Sequence, residues 1–287
     1  HLAAVALAMS RARLGAVGEP SDWLVASSHG AVTVRASWGT ELVAIPIREL
    51  LARQASAKPD ADLARELTSR ACGVEVAPEE VLKATAVYRA LEGLVAEHHL
   101  WALSVRCFDL VTGPRVSGCL ALSRLCDEGI PAGCEGDVPS ALALLWLHLL
   151  TGDLPWMANP ARVSPARSEI VLAHCTVPRN AVRSSDLNTH FESGLGVAIQ
   201  GELAPGPVTL VRLGGSRLEE LWTCEGELVT AAREESLCRT QARIRTDPAA
   251  LDALLERPLG NHVVLVPGHR ERLLRASRRM ILHTDER

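Results

Sequence analysis

The sequence predicts an α/β fold, with a Rossmann-like parallel-sheet domain followed by an antiparallel, β-rich C-terminal domain. In the first half, short apolar runs alternate with stretches of helical apolar spacing, which is typical of a parallel sheet covered by helices. After Pro155, short β-type runs separated by turn signals such as Pro-Gly-Pro replace this alternation. We therefore predict a first domain at residues 1–152 and a second at residues 153–287.

The elements of the first domain follow from its apolar runs. Strands are predicted at residues 23–26, 42–45 and 101–107. Helices are predicted at residues 46–52 and 61–70. A longer helix begins at Pro78, because proline is tolerated in the first helical turn and the carboxylates of Glu79 and Glu80 favour the positive end of the helix dipole.

Residues 134–137, Cys-Glu-Gly-Asp, form a predicted turn just before another helix. Asp137 is a good N-cap and Pro139 fits the first turn, and the apolar residues that follow continue the helix to a stop at residues 151–153. In open α/β sheets, ligands bind at such turns when they follow the carboxyl end of a strand. Glu135 is therefore a candidate functional residue.

The second domain has the pattern of an antiparallel sheet. Its β-type runs are at residues 170–173, 196–200, 208–213, 221–224, 242–245 and 262–266. One helix is predicted within it, at residues 248–256.

Composition limits the classes of partner and compartment. The chain is 47% hydrophobic and carries a net charge of −4 without a basic stripe or acidic tail, so neither nucleic acid nor a membrane is an expected partner. Its eight cysteines have irregular spacing and no CxxC pair. We expect reduced cysteines and a cytoplasmic protein.

The residues alone give only a weak indication of chemistry. Glu135, His174 and His262 have the side chains that a hard divalent cation such as Mn²⁺ binds. Sequence spacing does not establish that they converge, and a histidine at a strand end is more often a hydrogen-bonded structural residue than a ligand. Asp137 is explained as a helix cap, and His190 and Glu192, which flank a phenylalanine, also have structural explanations.

Several motifs resemble the L-fucose/L-arabinose isomerase superfamily. Residues 117–119 (SGC), 126–130 (CDEGI) and 134–137 resemble the stretch that delivers the metal-binding glutamate of that family. The matching later segments are residues 156–160 (WMANP), 172–178 (LAHCTVP) and 260–265 (GNHVVL), and residues 11–28 resemble the start of the family's middle domain. The two predicted domains would then correspond to the middle and C-terminal domains of that family.

The resemblance implies a metal-dependent aldose–ketose isomerase that acts on an open-chain sugar such as L-fucose or L-arabinose through a cis-enediol. It implies Mn²⁺ or another divalent cation, with Glu135, Asn159, His174 and His262 as ligands. Glu135 would also transfer the proton, and Asn159 would assist it by orienting a substrate hydroxyl. Apart from the resemblance, His190 and Glu192 are candidates for contact with the sugar or for proton relay.

Two departures from the family pattern leave alternatives open. Asn159 stands where the resemblance predicts a carboxylate, and the family's N-terminal domain is expected to be missing. The relatives form cyclic homo-oligomers, typically hexamers, and we expect a homo-oligomer here. The alternatives are a sugar-binding or regulatory relative without isomerase turnover, and a sugar epimerase on the same scaffold. A dehydrogenase is disfavoured, because residues 15–18 (GAVG) lack the full dinucleotide-binding glycine pattern.

Overall fold

The N-terminal half of the chain contains a parallel sheet, as predicted. The computed structural model describes residues 1–282. Its parallel strands are β1 (Arg13–Val17), β2 (Glu41–Ile45), β3 (Ala102–Val105) and β4 (Ala132–Cys134). They lie in the order β2-β1-β3-β4, so the strand order reverses beside β1 and the carboxyl ends of all the strands meet at one edge.

Helices cover this sheet. They are α1 (Leu2–Arg11), α2 (Ala31–Trp38), α3 (Ile47–Ser56), α4 (Ala61–Ser69), α5 (Pro78–His98), α6 (Phe108–Thr112), α7 (Cys119–Asp127) and α8 (Val138–Thr151). The predicted start of α5 at Pro78 is confirmed. Helix α8 is apolar all round and buried on nearly every face, because it packs against the parallel sheet on one side and the C-terminal strands on the other.

The C-terminal half forms an antiparallel barrel. Its strands are β5 (Trp156–Ser164), β6 (Glu169–His174), β9 (Gly206–Gly214), β10 (Glu220–Thr230), β11 (Thr240–Thr246) and β12 (Val263–Pro267), closed in the order β10-β11-β6-β5-β12-β9. A separate antiparallel pair is formed by β7 (Ser184–Asn188) and β8 (Ala198–Glu202). The helices of this half are α9 (Pro248–Glu256) and α10 (Glu271–Leu282). The predicted fold class is confirmed.

The predicted strand at residues 23–26 is wrong. This segment is a turn, with Trp23 50% exposed and Val25 71% exposed, so its apolar side chains do not enter the core. The first strand is β1 instead, in which Gly15 interrupts the apolar pattern. A side chain at Gly15 would collide with Leu100, since a Cβ there would lie 2.6 Å from its Cδ1.

The division of the chain near residue 152 stays a prediction. Helix α8 ends at Thr151 and the barrel begins at Trp156, which agrees with the change of secondary structure there. Helix α10, however, returns from the barrel and packs against α1 and α2. Within residues 1–282, no helix is long and apolar enough to cross a membrane.

A buried tryptophan tests the packing within the C-terminal half of the chain. Trp156 is 1% exposed, and its indole Nε1 donates to the carbonyl of Thr176 at 2.7 Å. We expect Trp156→Phe to lower the free energy of unfolding by about 1–3 kcal/mol, because it leaves a buried carbonyl without its donor. Trp101, which is 41% exposed, provides the control: Trp101→Phe should change stability by less than about 0.5 kcal/mol. Stability is measured by urea unfolding followed by circular dichroism. Equal losses of unfolding free energy in the two variants would contradict a stabilising role for the Trp156 hydrogen bond.

Candidate functional site

The candidate site lies at the carboxyl edge of the parallel sheet, where the barrel covers it. Glu135 directly follows β4, and Phe108 comes shortly after β3. Trp23 lies in the turn that follows β1. Because these strands are parallel neighbours, their following loops meet at one place, and the backbone N–H of Ser21 donates to the carbonyl of Glu135 at 2.8 Å.

Glu135 is held in an unusual backbone conformation. Its φ is +63°, in the left-handed region that costs a residue with a side chain roughly 1–2 kcal/mol. Gly136 follows with φ +70°, and a Cβ there would lie 2.7 Å from the carbonyl oxygen of Glu19. The turn therefore lies in close contact with the segment after β1. Its backbone strain is at Glu135, the residue predicted to transfer the proton.

Asp137 does more than cap α8. Its Oδ1 accepts from the Ser140 backbone N–H at 3.1 Å, which confirms the predicted cap. Its Oδ2 lies 3.2 Å from Nη1 of Arg212, on β9, and 2.9 Å from Nδ1 of His262. Burial raises the pKa of this carboxyl, but Arg212 and His262 lower it more, so the pKa lies well below its ordinary value and Asp137 is anionic.

Gly260 allows Arg212 to reach Asp137. Gly260 has φ +154°, and a Cβ there would lie 1.5 Å from Nη2 of Arg212. The guanidinium passes through that space, donates to the carbonyl of Leu259 at 3.2 Å and donates to the hydroxyl of Ser140 at 2.8 Å. Arg212 was not recognised from the sequence, because nothing near it distinguishes it from a surface arginine on a strand.

His262 presents an unpartnered nitrogen to Glu135. Its Nδ1 contacts Asp137, whereas its Nε2 lies 3.4 Å from Oε1 of Glu135 without hydrogen-bond geometry. Burial lowers the pKa of this imidazole, but the hydrogen bond to Asp137 and the nearby Glu135 raise it more, to about 9. Burial also raises the pKa of Glu135, but His262 and the Trp23 indole N–H outweigh it, so the net shift is downward and Glu135 is ionised at neutral pH.

His174 ends β6 and completes the group. Its ring centroid is 5.7 Å from that of His262. Burial, reinforced by the positive charge of His262, lowers the pKa of His174 to about 3, so this ring is neutral at neutral pH. The backbone N–H of Thr176 donates to its Nδ1 at 3.2 Å, which places the ring proton on Nε2 in this arrangement.

The structure brings the predicted Glu135, His174 and His262 together. One potential ligand atom from each lies within 4.8 Å of the other two. The 3.4 Å between Nε2 of His262 and Oε1 of Glu135 fits two ligands on one cation, because metal–ligand bonds of about 2.1 Å put neighbouring ligands about 3.0–3.4 Å apart. This buried group could hold a metal. Binding through Nε2 of His174 would require the other ring tautomer and loss of the contact with Thr176.

Asn159 lies on β5, next to the strand that carries His174. It pairs in register with Ala173, the residue before His174, and is partly exposed. Within residues 1–282 the structure shows no hydrogen bond to its side chain. Its predicted roles in catalysis and metal binding stay predictions.

Trp23 and Phe108, here called the aromatic wall, lie between Glu135 and the predicted sugar-contacting residues. Trp23 donates to Oε2 of Glu135 at 2.5 Å and packs edge-on against Phe108, with ring centroids 4.8 Å apart. Phe108 packs in the same way against His190 at 5.5 Å. Nε2 of His190 lies 3.0 Å from Oε2 of Glu192, and burial lowers the pKa of His190. Sugar contact by His190 and Glu192 stays a prediction, and Trp23 was missed as a site residue because its apolar run resembled a strand.

Comparison with known proteins gives a distant and partial similarity to sugar isomerases. The chain is 30% identical over 132 residues to the sulfoquinovose isomerase of Alkalicoccus urumqiensis, which covers 44% of this chain and 30% of that protein. It is 29% identical over 143 residues to the sulfoquinovose isomerase of Clostridium sp. (strain MSTE9), covering 48% and 32% respectively. The matches thus cover about a third of each relative's length, and no family model matches the chain. Neither relative is named a fucose or arabinose isomerase, so that narrower assignment stays a prediction.

The raised pKa of His262 makes stability depend on pH. The folded protein keeps the His262 proton up to about pH 9, whereas the unfolded chain releases it near its ordinary pKa of 6.5. The stabilisation is therefore complete below pH 6.5 and is lost as the pH rises through 9. The difference between the folded and unfolded pKa values of His262 corresponds to about 3 kcal/mol of unfolding free energy for a fully buried group.

We expect the metal-free protein to lose this stability between about pH 6.5 and 9.5, relative to His262→Gln, in urea unfolding. His269→Gln removes a half-exposed histidine and should keep the wild-type dependence. The pKa assignment would be wrong if wild type and His262→Gln changed in parallel across this range.

Proposed function

We propose that this chain carries the site of a metal-dependent sugar isomerase that interconverts an aldose and a ketose. The observation that supports it most is the buried, unpartnered Nε2 of His262, which faces the ionised Glu135 with His174 beside it. The partial similarity to sulfoquinovose isomerases supports the same reaction class.

Glu135 is the proposed proton-transfer residue. Its lowered pKa keeps it ionised at neutral pH, so it can accept the proton from the carbon next to the sugar carbonyl and return it to the neighbouring carbon. The Trp23 indole holds Oε2, which leaves Oε1 on the side of His262. A bound divalent cation would polarise the sugar carbonyl as a Lewis acid.

The histidines and Asp137 have supporting roles in this proposal. His174 would supply a neutral nitrogen ligand and His262 a second one once it has released its proton, while Glu135 would supply an anionic oxygen, a set that suits Mn²⁺ or a similar cation. Asp137 accepts from Nδ1 of His262 and so fixes the ring with Nε2 toward Glu135. Asn159 would bind weakly through its oxygen or orient a sugar hydroxyl.

The aromatic wall offers a place for the sugar. Trp23 is half exposed beside the carboxylate, and an exposed indole face suits the apolar face of a sugar ring or chain. At the far end of the wall, Glu192 is 45% exposed and presents a carboxylate suited to sugar hydroxyls, while the buried His190 lies 3.0 Å from that carboxylate through Nε2. We propose them as substrate contacts.

Replacing the proposed base tests the function directly. With Mn²⁺ present, the protein is assayed for ketose formation from L-fucose, L-arabinose and sulfoquinovose. We expect turnover with at least one sugar, and Glu135→Gln should lower kcat by about 10²–10⁴-fold, because it removes the proton acceptor. Glu256→Gln, at an exposed position at the end of α9, is the matched control and should retain full turnover. Unchanged turnover in Glu135→Gln would remove Glu135 from the mechanism.

Asn159 favours one alternative, a sugar-binding relative without turnover. An amide in place of a carboxylate adds no charge and cannot act as a general base. Measurable binding of a sugar without any ketose would support this alternative over the isomerase. Solvent deuterium at C2 without a ketose would indicate an epimerase.

The role of Asp137 can be separated from simple capping. Asn is as good an N-cap as Asp, so Asp137→Asn keeps the cap but removes the charge that orients His262. We expect Mn²⁺ affinity to fall about 10–100-fold, measured by calorimetry. Asp247→Asn makes the same change at the cap of α9 and should leave the affinity for Mn²⁺ unchanged. If both variants bound Mn²⁺ with equal affinity, Asp137 would act only as a helix cap.

A further inference from the structure

We propose that Cys175, Cys238 and Glu192 form a second metal site, for a thiophilic divalent cation such as Zn²⁺. The proposal does not depend on the isomerase function. The group contains none of Glu135, His174 and His262, but Glu192 is also a proposed sugar contact, so a cation bound here would compete with a sugar hydroxyl for its carboxylate.

The ligand atoms of this group already have the spacing of a metal site. The two sulfurs and a carboxylate oxygen of Glu192 all lie within 4.8 Å of one another. Sγ of Cys238 is 3.7 Å from Oε1 of Glu192. In a tetrahedral site with Zn–S of about 2.3 Å and Zn–O of about 2.1 Å, a sulfur and an oxygen ligand are about 3.6 Å apart. The pair formed by Cys238 and Glu192 therefore already has the separation of two ligands on one ion.

The surroundings of the group also suit a metal. Oε1 of Glu192 faces Cys238, while its Oε2 lies 3.0 Å from Nε2 of His190, so this histidine holds the carboxylate in place. Cys175 is buried, whereas the Glu192 side chain is 45% exposed, which leaves an entry path and room for water as the fourth ligand.

The three ligands come from three separate segments. Cys175 follows the end of β6, Glu192 lies in the turn between β7 and β8, and Cys238 lies in the loop before β11. A cation held by all three would join these segments. Because an ion that binds only the folded protein stabilises it, Zn²⁺ should raise the melting temperature.

Co²⁺ is the probe, since thiolate ligation produces a sulfur-to-metal charge-transfer band in the near ultraviolet that nitrogen and oxygen ligands do not. We expect the reduced protein to develop this band with one equivalent of Co²⁺ and to lose it when Zn²⁺ is added. Cys238→Ser should abolish the band and reduce the increase in melting temperature with Zn²⁺ to the part that the Glu135 group contributes, and Glu192→Gln should weaken Co²⁺ binding at least about 10-fold.

Two variants make the result specific to this group. Cys72→Ser removes an exposed cysteine elsewhere, and Glu135→Gln alters the other candidate site, so both should keep the band. The proposal is overturned if no band forms, or if the band survives in Cys238→Ser. It is also overturned if Cys175 and Cys238 form a disulfide and bind no Co²⁺ after reduction. Loss of isomerase activity in Glu135→Gln with an intact band would separate the two proposals.

Discussion

The buried carboxylate of Asp137 is the interaction on which the rest of the site depends. Removing an ion from water costs several kcal/mol unless charged and hydrogen-bonding partners surround it. Here the partners come from different parts of the fold: the amino end of α8, Arg212 on β9 and His262 before β12. Separating the barrel from the sheet would leave this charge unpaired, so the same contact that orients His262 also fixes the two halves relative to each other.

The site is assembled at positions where the backbone lies in close contact with another segment or with a buried side chain. Gly136 lets the turn that carries Glu135 touch the segment after β1, and Gly260 leaves the space that Arg212 occupies. Along this line the charges alternate, with Arg212 and His262 positive and Asp137 and Glu135 negative. The four charges sum to zero, and this balance offsets part of the cost of burying them. Binding of a cation must displace the His262 proton, so the affinity for metal should rise with pH.

Much of this arrangement could be predicted from local sequence patterns. Capping chemistry and apolar spacing act over a few residues. They predict the helix start at Pro78, the cap at Asp137 and the strands of the barrel. The convergence of Glu135 with His174 and His262 did not follow from spacing, because it depends on how the barrel closes over the sheet. Arg212 and Trp23 were missed for the same reason, since only tertiary contacts distinguish them from ordinary strand and core residues.

The single carboxylate at the metal group constrains any isomerase mechanism. Aldose–ketose exchange moves a proton between neighbouring carbons, and two carboxylates commonly divide the acid and base roles. Asn159 cannot take a proton and His174 is neutral and buried, so under the proposed function Glu135 must both remove the proton and return it. A single base can do so only if both carbons turn the same face of a planar intermediate toward it, as they do in a cis-enediol.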